Sequence, residues 1–243
     1  MCFSAEASFA AGGVLIPAGA YCIYSAARKQ PRYLGLAAVP LFFGIQQIGE
    51  GFVWTALHHG DAEQKRNASL FFLFFALAFW PFWFPLLTTI MEPERRRRWI
   101  FAAMTVAASA WFWILYYPLL VGPNNVLDVR VEHHSVQYQY DSLAIYDYID
   151  RGPLRILYLL SVALPPIFGS EKWGRIPGLV LGLSALVAAV FYHYAFVSVW
   201  CFFAAILALY LFFFFYRLPT PASAEIESSP IEEAGAKSLT AGQ

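Results

Sequence analysis

Long apolar runs follow one another along this chain with only short polar breaks, the pattern of transmembrane helices rather than of half-buried amphipathic elements. Their flanks delimit seven, at about 7–27, 33–57, 69–91, 99–120, 154–168, 175–194 and 197–216. No positive side chain precedes the first, in Met1 to Glu6, so it lacks the basic region of a cleavable signal peptide and reads as an uncleaved helix. Small residues recur every four positions at Ser4, Ser8 and Gly12 and again at Gly174, Gly178 and Gly182, a spacing that lets a neighbouring helix approach closely. The third run is dense in Phe and Trp and holds Pro81 and Pro85; it reads as a lipid-facing or packing helix, kinked near its end, without chemistry of its own. Between the fourth and fifth lies the one substantial polar segment, 121–152. Its alternation from Val129 to Tyr138 predicts a short hairpin or extended cap over the mouth of the bundle. Beyond Arg217 the chain turns rich in Pro, Ser, Ala and Glu, and 219–243 is expected to be a disordered cytoplasmic tail.

Composition supports lipid as the solvent. Of 243 residues 59% are hydrophobic and 13% charged, about half the charged fraction of a soluble domain. Zero formal net charge gives no global attraction for nucleic acid, so membrane lipids are the expected partners. The basic residues set orientation. With the N-terminus outside, eleven Lys and Arg fall on the cytoplasmic side (Arg28, Lys29, Arg32, Arg95 to Arg98, Lys172, Arg175, Arg217, Lys237) and five outside (Lys65, Arg66, Arg130, Arg151, Arg155). The expected fold is therefore an all-α membrane protein, a bundle of seven transmembrane helices with N-terminus outside and C-terminus cytoplasmic.

One helix breaks the apolar pattern. Gln47, Glu50, Trp54 and His58 share one face of the second run, within an arc of about 80°. A charge at the centre of a membrane helix costs about 2.5–3.5 kcal/mol, so this stripe should face protein or trapped water, with Glu50 neutral or paired. Glu50 lies roughly 24 Å along the helix from Leu34, in the outer third of a core about 30 Å thick. The same orientation places Glu6, all five histidines, Ser198 and Cys201 toward the outer face.

Carboxylate, imidazole and thiol near one face are groups that a transition-metal or proton-handling site uses. Each has a plainer reading too: Glu50 as helix-packing glue, His58, His59 and His193 as polar helix ends, Cys201 as a small buried hydrophobe, Trp54 and Trp200 as an aromatic belt. The preferred function is a noncatalytic outward-facing chamber in which Glu50, with Gln47 and His58 or His193, holds a metal ion, a proton or a small ligand. The alternative is a membrane-embedded metal-dependent hydrolase or redox enzyme assisted by Ser198, although the chain has neither a His-x-x-x-His pair within one helix nor a Gly-flanked serine elbow. A retinal protein is excluded, because the seventh run has no lysine for a Schiff base. Cys2 would present an outer thiol that could bind metal or pair with Cys201.

Several motifs resemble an uncharacterised family of bacterial multi-pass membrane proteins that open with Met-Cys-Phe-Ser-Ala. The matching pieces are Met1 to Ala5 with Ala7-Ser8-Phe9, Phe43 to Gln47 through Glu50-Gly51 and Val53-Trp54, Glu92-Pro93 with the arginine run, His133-His134 with Tyr138, and Phe196 to Ala205, over most of the chain to about Arg217. The resemblance implies a bacterial inner-membrane protein and no assigned activity. Its motifs fall on Cys2, Gln47, Glu50, Trp54, His134, Tyr138, Trp200 and Cys201. The candidate set is thus Gln47, Glu50, Trp54 and Tyr138 for a ligand or proton, and Glu50, His58, His193, Cys201, Cys2 and His134 for a metal.

Overall fold

The computed structural model describes residues 4–132, 134–171, 175–191 and 196–218. Seven helical rods carry most of them: α1 Ala5–Lys29, α2 Pro31–His59, α3 Ala62–Met91, α4 Arg95–Val121, α5 Arg151–Phe168, α6 Arg175–Phe191 and α7 Phe196–Arg217. The first four are long and apolar enough to cross a membrane. The expected tail at 219–243 lies outside the described residues.

Local chemistry sets the rod ends. Ser4 caps α1, its Oγ accepting from Ala7 N at 3.2 Å, and Arg28 and Lys29 occupy the last turn, where cations complement the helix dipole. Gly60, at φ 70°, ends α2, and Asp61 starts α3 by accepting from Gln64 N at 2.9 Å. Two rods widen into π turns, α3 at Phe74–Phe79 and α4 at Phe112–Tyr116. A proline follows each closely, Pro81 and Pro118. Proline has no N–H to donate and its ring crowds the carbonyl four residues back, so a wider turn relieves the clash.

Neighbouring rods pack in alternating directions. Gly12 of α1 meets Ile48, and Gly19 meets Leu41, where a Cβ would lie 2.3 Å from the Leu41 backbone nitrogen. Only glycine allows that approach, and it fixes α1 antiparallel to α2. Gly35 against Leu87 and Gly49 against Phe71 set α2 antiparallel to α3, and Gly178 against Ile167 with Gly182 against Ala163 does the same for α5 and α6. The last rod runs parallel to the first: Ser25 Oγ donates to Phe215 O at 2.9 Å and Lys29 Nζ to Leu218 O at 2.8 Å. At the same end Glu92, between α3 and α4, accepts from Ser170, after α5.

The other end carries an antiparallel hairpin, β1 Asp128–Glu132 and β2 Ser135–Gln139, with Val129 opposite Tyr138 and Val131 opposite Val136. Val129, Val136 and Tyr138 are buried, and Tyr138 stacks on Phe72 of α3 with centroids 5.1 Å apart. In α2 and α3, 67% and 61% of the apolar window is buried, against 28% in α1 and 33% in α4. The third rod is therefore a central element rather than a lipid-facing one. Large apolar side chains such as Trp99, Val106, Trp113 and Ile176 project outward, as a lipid solvent permits.

Candidate functional site

The polar residues of α2 are enclosed. Gln46, Gln47 and Glu50 have no exposed surface and Trp54 is 4% exposed. Gln46 is engaged at both ends: its Oε1 accepts from Trp80 Nε1 at 2.7 Å and its Nε2 donates to Cys201 Sγ at 3.3 Å. Trp80 is held by stacking on Phe43, 3.9 Å between centroids and 17° between planes. The Glu50 carboxyl lies within electrostatic reach of the Cys201 sulfur. Gln47 differs. Neither its Oε1 nor its Nε2 has a hydrogen-bond partner among the described residues, and the same holds for the buried Ser8 and Ser69 hydroxyls and the Trp54 N–H. Such groups are costly inside a low-dielectric core, by about 1–3 kcal/mol each.

On the far side of Cys201 lies a cavity of about 80 Å³ under the hairpin. Tyr138 and Tyr140 wall it from the hairpin side, Arg151, Arg155 and Tyr158 from the start of α5, and Trp200 and Cys201 from the start of α7. The π turns shape it. A widened turn leaves a carbonyl without its usual donor, and the Tyr158 hydroxyl donates to the one at Ala76. Trp200 donates from Nε1 to Leu181 O at 3.3 Å and presents its ring edge to Tyr158, 5.6 Å away. Cys201 belongs to both places, so the buried α2 cluster and the cavity share a wall.

The rim is charged and aromatic. Arg151 pairs with Asp141 and lies over the Tyr146 ring at 5.1 Å, and Tyr146 stacks on Tyr140. Burial pushes the Tyr140 phenol up, and the Arg155 and Arg151 charges only partly oppose it. Burial likewise raises Tyr146, reinforced by Tyr140. Both stay protonated at neutral pH and so remain hydrogen-bond donors.

Of the residues singled out by sequence, Gln47, Glu50 and Trp54 are buried together on α2, and Tyr138 and Cys201 line the cavity. His58 stands at the end of α2, its Nδ1 2.9 Å from Trp54 O and its ring within electrostatic reach of Glu6. His134 is exposed at the hairpin turn with φ 60°. Cys2 and His193 lie outside the described residues, and Cys201 is a free, buried thiol. Among the described residues no three His, Cys, Asp or Glu side chains converge to hold a metal ion. Sequence reasoning missed Trp80, Tyr140, Arg151, Arg155 and Tyr158 as neighbours of the site. The available signal was Gln46 beside Gln47: adjacent positions point 100° apart, so two enclosed amides require protein on more than one side of α2.

Four helices long and apolar enough to cross a membrane, with many large apolar side chains on the exterior, mark a helical membrane protein. The model of a family of unknown function (DUF6629) matches residues 1–226, and the chain belongs to that family. No curated protein and no solved structure matches it.

Proposed function

We propose that this is a seven-span protein of a bacterial inner membrane, N-terminus outside and C-terminus cytoplasmic, whose outward-facing chamber binds a small ligand without turning it over. The alternating directions of the rods support seven crossings. The positive-inside rule supports the orientation, because the rod ends and connections between α1 and α2, α3 and α4, and α5 and α6, with the end of α7 and the tail, hold eleven basic residues against five elsewhere. The hairpin and its cavity then face outward.

One observation carries the ligand reading: Cys201 lines the cavity while its sulfur accepts from Gln46 and lies within electrostatic reach of Glu50, so a molecule in the cavity sits one side chain from the buried α2 cluster. Among the ligands considered, a small molecule fits best, since the described histidines stand at a helix end and a hairpin tip. The test uses full-length protein purified in detergent. Elemental analysis is expected to find no stoichiometric zinc, copper or iron, while small polar molecules raise the melting temperature of wild type more than that of Glu50→Gln; a ligand at 100 times its Kd stabilises by about 2.7 kcal/mol. Stoichiometric metal lost in Glu50→Gln would replace this reading with the metal one. Lipid turnover abolished by the same change would replace it with a hydrolase.

A further inference from the structure

We propose that the chamber is the outer half of a transport path, along which a small uncharged molecule with a hydrogen-bonding head crosses the bundle to a second cavity at the arginine-rich end. This rests on the chamber reading above and adds passage through the protein. The second cavity is enclosed by five rods, α2 at Leu36 and Phe43, α3 at Leu87, α5 at Pro165, α6 at Leu181 and α7 at Ala204. It shares the walls α3, α5 and α7 with the chamber. On α7 the two are one turn apart, since Cys201 lines the outer cavity and Ala204 the inner, about 4.5 Å along the axis. On α3 and α5 the gap runs from Leu77 to Phe84 and from Tyr158 to Pro165, roughly 10 Å. The barrier therefore takes up about a third or less of a hydrocarbon core about 30 Å thick.

Hydrogen bonds tie the barrier together. Trp200 of the outer wall donates from Nε1 at 3.3 Å to the carbonyl of Leu181, a residue of the inner wall. Trp80, between the cavities on α3, stacks on Phe43 of the inner wall and donates to Gln46, which donates in turn to the Cys201 sulfur of the outer wall. The two mouths differ. At the outer rim the side chains of Arg151 and Asp141 are 43% and 57% exposed. At the inner mouth Glu92 and Ser170 bond to each other at 2.6 Å, and Arg97 holds Ser170 as well. A bundle accessible from one side and latched on the other is one of the two states that alternating access requires. Among the described residues lining the inner cavity, the charged ones are Glu92 and Glu171, both at rod ends and both engaged, Glu171 by Tyr33 at 3.1 Å and Arg32 at 3.6 Å. An ion would lose its hydration there without replacement, a cost that an uncharged molecule avoids. To pass the barrier, the molecule must replace Gln46 at the Trp80 N–H and the Cys201 sulfur. A primary amide does so, because it carries both an acceptor and a donor.

Liposomes holding the full-length protein, mixed rapidly with acetamide, methanesulfonate or tetramethylammonium and followed by light scattering, test the proposal. Acetamide should enter about tenfold faster than into protein-free vesicles, the effect of taking about 1.4 kcal/mol off the barrier. The two ions should gain nothing. Ala208→Phe puts a ring into the inner cavity and should abolish the acetamide excess, while acetamide still raises the melting temperature of the variant, since Ala208 does not line the chamber. The wild-type rates decide the matter even if that variant fails to fold. A raised melting temperature without protein-dependent entry would overturn the path and leave the chamber standing. Absence of both would overturn both, and entry of either ion as fast as acetamide would overturn the uncharged substrate.

Discussion

Two cavities of about 80 Å³ each lie at opposite ends of the same bundle, and their polar groups behave in opposite ways. At the arginine-rich end the walls are Leu36, Phe43, Leu87, Leu181 and Leu211, and the polar groups at the edge bind one another. Glu92 accepts from Ser170 Oγ at 2.6 Å, Ser170 N at 3.0 Å and Glu94 N at 3.3 Å, while Arg97 reaches Ser170 and the carbonyl of Phe168. At the hairpin end the phenols and guanidinium groups line the space itself, and in α2 the enclosed amide of Gln47 has no hydrogen-bond partner among the described residues. Equal volume therefore does not mean equal role. A polar cluster that closes on itself fastens helices, whereas an enclosed amide without a partner is open to receive one.

This contrast can be broken by substitution. Glu92→Ala should have the largest effect, a loss of about 3 kcal/mol, because it removes a buried carboxylate that accepts three hydrogen bonds. Thermal unfolding in detergent measures it, and an unchanged midpoint would deny Glu92 its fastening role. The same carboxylate predicts a pH dependence. Burial alone would raise its pKa, but the Ser170 hydroxyl and N–H, the Glu94 N–H and the Arg97 charge more than offset this and hold it below the ordinary value of 4.5. A depressed folded pKa means that the stabilisation is complete above about pH 4.5 and is lost as pH falls through the folded value. Wild type should lose stability there, and Glu92→Gln should lack that component of the decline.

Gln46→Leu should cost about 1–3 kcal/mol, since it leaves the Trp80 N–H buried without its acceptor. Gln47→Leu is expected to do the least to the fold, changing stability by under about 1 kcal/mol or raising it, because no partner is orphaned. Its effect should fall on ligand binding instead. A Gln47→Leu protein that unfolds as readily as Gln46→Leu would erase the distinction between fastening and receiving groups.

Much of this architecture could be read from the chain because transfer costs are local. The expense of placing Glu50 in hydrocarbon identifies α2 as a rod whose polar face must be enclosed, and the alternation from Val129 to Tyr138 marks the strands that form the hairpin. Which residues meet Gln46 and wall the cavity was not legible. Trp80 and Tyr158 come from apolar runs whose local pattern gives no sign of which residue turns inward, and their partners are 34 and 82 residues away in sequence. The metal set was drawn from residues sharing a depth in the membrane, yet equal depth does not bring side chains together: His58 and His134 sit at a rod end and a turn, while Cys201 points into the core. For a related reason the composition of the third rod leaves lipid-facing and packing roles open, since Phe and Trp satisfy lipid and protein neighbours equally well, and its burial selects the packing role.

The widened turn at Phe74–Phe79 has a consequence for how the two halves of the molecule are aligned. It contributes one residue more than a regular turn would hold, and each residue turns a helix by about 100°. Phe72, which seats the hairpin, lies before it; Trp80, which anchors the amide of Gln46, lies after it. Deleting a single residue between them would leave each contact chemically intact yet swing one a quarter-turn or more away from the other. The hairpin's mooring and the buried amide are thus phased by one surplus residue, like two cams on a common shaft.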